Sequence, residues 1–301
     1  MERVLGFDLG FGHTKVIWEK GKLKFPTWIA YKSNNPISEI ESVSLGTEEY
    51  VIGRDAAREP RKIEISSIDT LISFAPYFLE YAIQKAKIHK ENLFIITGVP
   101  PIHKERKEEL WNSIIKAFPS VEVEVVIQGM GILADMEEKL GNEALLLDIG
   151  YNTVDFLFVE REGKAWRYVK GNTIEDFGIL RAVESFREKI PQELSYIKNF
   201  SLSRLNDIFE KGYVIVHGKK KELGDITELA KREYTKTLLS RLEREIGNLI
   251  YECESLVLGG GGAYLIDRNL LKHSNVLIPD EPEYSQARGY LKIGKFLKGA
   301  E

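Results

Sequence analysis

Two segments of this chain repeat one pattern of strand, acidic turn and strand, and this repeat limits the folds open to the chain. In residues 4–18 an apolar run reaches Asp8-Leu9-Gly10 and returns as a second apolar run. Residues 144–159 do the same around Asp148-Ile149-Gly150, and each block is followed by a third strand-like segment. The two aspartates lie 140 positions apart. Because two such blocks in register are hard to obtain by chance, we infer an internal duplication.

The turn of the first block carries groups suited to a phosphate ligand. Gly10 and Gly12 allow the backbone N–H groups to face outward and a ligand to approach closely. The carboxylate of Asp8 can hold a hydrated cation, and the ammonium group of Lys15 can neutralise phosphate oxygens. Asp-x-Gly is also ordinary turn chemistry, so one such turn alone is a weak signal. Its repetition at Asp148 favours the interpretation as a phosphate-binding turn.

A run of four glycines follows a third buried strand near the end of the chain. The apolar segment 255–258 opens onto Gly259, Gly260, Gly261 and Gly262, and residues 263–271 are predicted to form a helix. Glycines at this place would let that helix begin close against a flat ligand. A flexible loop is the alternative, and the position directly after an apolar strand favours the ligand site.

The remaining chain alternates predicted helices and strands. Apolar residues at helical spacing predict helices over 68–87, 104–117 and 227–251. Pro76 is expected either in the first turn of its helix or at a kink. Residues 213–221 are predicted to form a hairpin whose tip carries Lys219, Lys220 and Lys221, and a solvated turn is the favoured interpretation of these lysines.

The composition excludes several classes of protein. The 301 residues carry a net charge of −4, so no global basic field directs the chain to nucleic acid or to an anionic membrane. The single cysteine, Cys253, excludes an internal disulfide and a cysteine-rich metal site, and it is expected to be a buried structural thiol. No apolar run approaches the roughly 18 residues of a membrane span, and the chain enters a strand without a signal segment. We therefore expect a cytoplasmic protein.

The order of the motifs resembles the actin, Hsp70 and sugar-kinase superfamily, whose five motifs are called phosphate 1, connect 1, phosphate 2, adenosine and connect 2. Within it the chain is most similar to plasmid-segregation actins of the ParM (StbA) type, also through the segment Ile96-Thr97-Gly98-Val99-Pro100. The matching motifs are, in order, Asp8-x-Gly10-x-Gly12-x-x-Lys15, Gln128-Gly129, Asp148-x-Gly150-x-x-Thr153-x-Asp155, Gly259 to Gly262, and Ala287-Arg288-Gly289-Tyr290.

This resemblance implies an α/β fold with two duplicated, ribonuclease-H-like (actin-like) domains that face each other across a nucleotide cleft. The first domain is expected to comprise residues 1–134 and 284–301, with a small inserted lobe at about 33–60. The second is expected to comprise residues 135–283, with a second lobe at about 180–225.

The resemblance also implies that ATP and Mg²⁺ bind between the domains, with Asp8 and Asp148 holding the metal mostly through its waters. Gln128 would orient the attacking water, as a glutamine does in other nucleotide hydrolases. Lys15 would stabilise charge on the phosphate in the transition state. Tyr151 and Asn152 stand where small residues are common, so the Tyr151 side chain must point out of the cleft. The full set of nucleotide-binding residues would be Gly10, Phe11, Gly12, His13, Thr14, Lys15, Gly150, Tyr151, Asn152, Thr153, Gly259, Gly260, Gly261 and Gly262.

Three functions are compatible with these motifs. The first is an ATP-hydrolysing actin that self-associates into filaments, for plasmid segregation or a related cytomotive role, and meets DNA through an adaptor protein. The second is a nucleotide-binding scaffold that does not polymerise, although residues 295–298 are too short for a firm membrane anchor. The third is a small-molecule kinase, for which only Asp155 and Asp176 could serve as the catalytic base.

Overall fold

The computed structural model describes residues 3–33 and 40–299. The chain forms two compact units, of which unit 1 comprises Met1–Lys139 and Pro279–Glu301 and unit 2 comprises Leu140–Ile278. Among the described residues, no helix combines the length and the apolar character needed to cross a membrane.

Unit 1 contains nine strands and four α-helices among its described residues. The strands are β1 (Arg3–Leu9), β2 (His13–Trp18), β3 (Gly21–Pro26), β4 (Ile29–Tyr31), β5 (Val43–Leu45), β6 (Glu48–Ile52), β7 (Lys62–Ile63), β8 (Leu93–Val99) and β9 (Glu122–Ile127). The helices are α1 (Ile68–Ala86), α2 (Lys107–Ala117), α3 (Met130–Met136) and, at the end of the chain, α8 (Ser285–Leu297).

Unit 2 contains seven strands and four α-helices. The strands are β10 (Glu143–Ile149), β11 (Val154–Glu162), β12 (Ala165–Ile174), β13 (Tyr213–Val216), β14 (Lys219–Glu222), β15 (Ser255–Gly259) and β16 (Val276–Leu277). The helices are α4 (Ile179–Lys189), α5 (Leu202–Lys211), α6 (Gly224–Ile246) and α7 (Leu249–Glu252).

The main sheets of the two units have the same topology. The strand order is β3-β2-β1-β8-β9 in unit 1 and β12-β11-β10-β15-β16 in unit 2. In each sheet three consecutive strands form an antiparallel meander, β1 to β3 in unit 1 and β10 to β12 in unit 2. Two further strands extend the sheet beside the first strand of the meander and run parallel to it, β8 and β9 in unit 1 and β15 and β16 in unit 2. The duplication and the α/β class predicted from the sequence are therefore confirmed.

Alternation of side chains along β1 determines which groups face the core. Leu5 and Phe7 enter the main core of unit 1, while Val4 on the other face packs with Tyr290 of α8. Gly6 also lies on the α8 side, where its Cα is tight against the backbone of Ala287. Asp8 follows on that same face, one strand period beyond Gly6. A strand buried on both faces reads as a continuous apolar run, which explains why β1 was recognisable from sequence.

Each unit also carries a smaller substructure outside its main sheet. In unit 1, strands β4 to β7 form a sheet of order β5-β6-β4-β7, and residues 34–39 of the lobe predicted at 33–60 lie outside the described part. In unit 2, α5 and the β13–β14 hairpin occupy the region of the second predicted lobe.

Two local predictions were wrong, and a third lost one of its two alternatives. Residues 263–271 form short 3₁₀ turns instead of a helix, because the chain is extended at Ile266 and the Asp267 side chain accepts a hydrogen bond from Asn269 N, which starts a new turn. Pro76 lies in the interior of α1, whose start is fixed by Ser67 accepting from Thr70 N, so the first-turn alternative is wrong and the kink stays a prediction. The lysines predicted at a hairpin tip lie on β14, and the turn consists of residues 217–218.

Candidate functional site

The first predicted turn places a carboxylate and an ammonium group opposite each other. Asp8 on β1 pairs in register with Lys15 on β2, and Lys15 Nζ lies 2.9 Å from Asp8 Oδ2. Both residues therefore lie within the strands, and the turn itself is Gly10-Phe11-Gly12. Asp8 is buried, so the ion pair holds the Lys15 side chain in one position beside the turn.

Hydrogen bonds from a neighbouring segment fix the shape of this turn. The hydroxyl of Thr27 donates to Gly10 O at 2.6 Å and lies 3.0 Å from the Thr14 hydroxyl, and Thr27 N donates to Gly12 O. Thr14 is fully buried, so its hydroxyl serves this contact. The sequence reasoning did not identify Thr27, because its partners lie on β2 and on the turn, 13 and 17 positions earlier.

His13 reports the electrostatic character of the turn. Burial, followed by the nearby charges of Lys24, Lys15 and Arg54, lowers the pKa of His13 to about 4. The imidazole is therefore neutral at pH 7, and three cationic side chains lie near it. A neutral imidazole with cations near it adds no negative charge that would repel an anionic ligand.

The second predicted turn presents a different pair of side chains. Asp148 on β10 and Asp155 on β11 are opposite each other in register, so both carboxylates lie on the same face of this sheet. Asp155 is buried and accepts a hydrogen bond from the Thr173 hydroxyl. Where unit 1 has a carboxylate–lysine pair, unit 2 has two carboxylates.

Backbone contacts orient the peptide groups of the second turn. The carbonyls of Gly150, Tyr151 and Asn152 accept hydrogen bonds of 3.0 Å from the N–H groups of residues 179, 180 and 178 respectively, at the start of α4. Because a trans peptide directs its N–H opposite to its C=O, the N–H groups of Tyr151, Asn152 and Thr153 point away from α4. Gly150 N closes the turn by donating to Thr153 O at 2.9 Å. Successive N–H groups on one side of a turn form an anion-binding concavity.

The glycine run of unit 2 packs against the Asp148 end of β10. Gly259 is in register with Asp148, and Gly260 has a positive φ of 73°. A Cβ at position 260 would overlap Asp148 Oδ1 and Ile149 O. The glycines therefore permit a close approach between β15 and the second turn, and their contact with a ligand stays a prediction.

Gln128 lies at the carboxyl end of β9 in unit 1, directly before α3. It is buried, and its backbone N–H donates to Val99 O at 2.8 Å. The adjoining residue Gly129 has a φ of 96° and forms the N-cap of α3. The sequence reasoning did not identify what fixes this junction, which is a contact from Gln286 on α8.

The donor set fits Mg²⁺ bound mainly through water and nucleotide. Across residues 3–33 and 40–299 there is no cluster of three or more His, Cys, Asp or Glu side chains arranged to hold a metal. Of the two predicted metal residues, Asp148 has its carboxylate on the same sheet face as that of Asp155, and Asp8 is paired with Lys15. A cation that keeps several waters and takes one or two carboxylates plus phosphates needs no larger protein cage.

Comparison with known proteins agrees with this architecture. Residues 146–272 match the family model described as "Archaeal actin homologue MreB-like, C-terminal". No curated protein sequence matches the chain. Among solved structures, a 15-stranded ParM filament from Clostridium botulinum aligns with a TM-score of 0.78 at 19% identity, covering 98% of this chain and 99% of that one.

Two structures of an archaeal actin homologue, Ta0583, also align over the whole chain. The native form gives a TM-score of 0.80 at 17% identity, and the complex with ADP gives 0.75 at 16% identity. Each alignment covers 98% of this chain and 99% of the other. Residues 146–272 are therefore similar to the C-terminal part of archaeal MreB-like actin homologues, and the chain shares the fold of ParM proteins and archaeal actin homologues.

Proposed function

We propose that this protein binds ATP with Mg²⁺, hydrolyses it, and assembles into filaments in a nucleotide-dependent way. The observation that carries the proposal is the repeated turn, which in unit 1 places Lys15 beside the Gly10-Phe11-Gly12 turn and in unit 2 directs three N–H groups away from α4. Both arrangements suit the oxygens of a polyphosphate. The Ta0583 relative is known in complex with ADP, which supports a nucleotide as the ligand.

Each of the proposed site residues would have its own role in ATP hydrolysis. Lys15 neutralises phosphate oxygens, with Asp8 holding its ammonium group in place. Asp148 would hold the hydrated Mg²⁺ that accompanies the nucleotide. Gln128 orients a water molecule for attack on the γ-phosphorus, after which the bond to the β–γ bridging oxygen breaks and ADP and phosphate leave. The N–H groups of residues 151–153 bind the phosphates throughout.

One pair of variants tests the nucleotide chemistry and separates ATP hydrolysis from a kinase activity. Asp148→Asn is expected to lower ATP turnover on the order of 100-fold, because the Mg²⁺ of the substrate loses its carboxylate. Asp176→Asn is expected to leave turnover unchanged, because this residue is exposed, whereas a kinase that used it as base would lose activity. Phosphate release is measured with ATP and with GTP. Unchanged turnover in Asp148→Asn would disprove the metal role.

Filament formation is proposed from the fold, since the Clostridium botulinum relative of the same fold is a ParM filament. Adding MgATP above a threshold protein concentration should raise light scattering and give filaments in negative-stain images. A clear solution at high concentration, with ATP bound, would favour the non-polymerising scaffold. Because the net charge is −4, we propose that any role in DNA segregation requires an adaptor protein that contacts the DNA. We propose the cytoplasm as the place where the protein acts.

A further inference from the structure

The side chain of Gln286 connects α8 to the start of α3. Gln286 is the second residue of α8 and only 2% exposed. Its Oε1 accepts hydrogen bonds from Gly129 N and Ile132 N, each at 3.2 Å. Its Nε2 donates to the hydroxyl of Tyr290 at 2.6 Å. Both ends of this buried amide are therefore hydrogen-bonded, and its orientation is fixed.

Gln286 satisfies backbone donors that α3 cannot satisfy by itself. The first N–H groups of a helix have no acceptor within the helix, and a side chain at the N-cap normally accepts from them. The N-cap of α3 is Gly129, which has no side chain to do this. Gln286 supplies the missing acceptor from 157 positions away in the sequence.

The same contact fixes the peptide bond that follows Gln128. Gly129 N belongs to the Gln128–Gly129 peptide group, so its hydrogen bond to Gln286 sets the plane of that group. On the other side, Gln128 N donates to Val99 O at 2.8 Å. The backbone of Gln128 is thus held at both of its peptide groups.

Tyr290 contacts both segments that hold the Gln128 backbone, namely Gln286 and the end of β8. Its hydroxyl accepts from Gln286 Nε2 and lies so close to Gly98 that a Cβ at position 98 would overlap it. Gly98 precedes Val99, the residue whose carbonyl accepts from Gln128 N. Tyr290 and Gln286 are both buried, so this network is shielded from water and is strong relative to a surface contact.

We propose that Gln286 is a positioning residue for ATP hydrolysis, which acts by fixing the backbone of Gln128. The inference rests on the proposed function, in which the Gln128 side chain orients the attacking water. A displacement of about 1 Å in a catalytic group can cost on the order of 100-fold in rate. Loss of the Gln286 contacts releases one of the two peptide groups that hold Gln128, so a smaller loss, about tenfold in kcat, is expected.

The test compares kcat and KM for ATP in four variants and the wild type. Gln286→Leu replaces the amide by an apolar side chain of similar size and so removes both hydrogen-bonding ends. It should lower kcat about tenfold and change KM less than about twofold. Gln286→Glu keeps acceptor oxygens for Gly129 N and Ile132 N and should recover most of the rate. Gln128→Ala should be slow, and Gln128→Ala/Gln286→Leu should be no slower than Gln128→Ala, because Gln286 acts through Gln128.

Thr235→Val is the matched control for general destabilisation. Thr235 is a fully buried helical residue of unit 2 that accepts from Asp267 N at 3.0 Å and donates to Lys231 O at 2.9 Å. Its replacement removes two buried hydrogen bonds away from the proposed site and should leave kcat unchanged. Tyr290→Phe, which removes one end of the Gln286 contact, is the second variant if Gln286→Leu does not fold, and it should lower kcat by a smaller factor.

The outcomes separate this inference from the proposed function. If the wild type hydrolyses no ATP, the proposed function and the positioning role of Gln286 are both wrong. If the wild type is active and Gln286→Leu or Tyr290→Phe keeps the wild-type kcat, only the positioning role is wrong. The positioning role is also wrong if the effects of Gln286→Leu and Gln128→Ala multiply in the double variant, because independent effects would mean that Gln286 does not act through Gln128.

Discussion

Replacing Arg288 by methionine should destabilise unit 1 far more than the loss of an ordinary surface ion pair. Arg288 on α8 binds Asp135 on α3 through two hydrogen bonds, from Nε at 2.7 Å and from Nη2 at 2.6 Å. The Asp135 side chain is only 4% exposed and also accepts from the Ser285 hydroxyl, and Lys292 Nζ lies 3.6 Å away. The variant leaves this carboxylate buried with weaker partners.

The size of the effect follows from which partner is buried. Breaking a buried ion pair by removing one partner typically costs about 3–5 kcal/mol. Ser285 and Lys292 remain beside Asp135, so we expect about 2–4 kcal/mol for Arg288→Met. Asp135→Asn should cost less, about 1–2 kcal/mol, because the Arg288 side chain is 27% exposed and keeps its bond to Asp280 O.

The tryptophans allow unit 1 to be observed separately. Of the four in the chain, only Trp166 lies in unit 2, so urea unfolding of variants in a Trp166→Phe background reports unit 1 through fluorescence. Arg58→Met is the control, because its ion pair with Asp55 is exposed and should be worth less than about 1 kcal/mol. Equal losses for Arg288→Met and Arg58→Met, or a larger loss for Asp135→Asn than for Arg288→Met, would refute this reasoning.

Three further predictions concern pH, thiol reactivity and the glycine run. The pKa of His13 is lowered to about 4, so as the pH falls the unfolded chain takes up a proton near pH 6.5, before the folded chain does. The free energy of unfolding should therefore decrease as the pH is lowered from 6.5 to 4, by about 1–2 kcal/mol more in the wild type than in His13→Gln. Urea titration at each pH measures this difference. Burial raises the pKa of the Cys253 thiol to about 11, so a thiol reagent at pH 8 should react with it only after denaturation. Gly260→Ala should cost about 1–3 kcal/mol and weaken nucleotide binding by displacing Asp148, and unaltered affinity in a calorimetric titration would contradict that contact.

The two main sheets could be predicted from the sequence because their signals are local. Strands buried on both faces appear as short apolar runs, and the turn at Asp8 and its repeat at Asp148 interrupt such runs in the same way. The segment after the glycine run was wrongly predicted to be a helix, because the hydrogen bond from Asn269 N to Asp267 competes with helical bonding. Periodicity does not reveal that competition.

By itself, the sequence determined the duplicated α/β fold and the residues that stand at each turn. The tertiary structure decided what those residues contact: Lys15 pairs with Asp8, whereas the corresponding residue in the repeat, Asp155, places a second carboxylate opposite Asp148. It also decided that Gln286 caps α3 from 157 positions away. Strand patterns arise from neighbours a few residues apart, whereas these contacts join groups that only the packing of a folded unit brings together, and no local pattern encodes them.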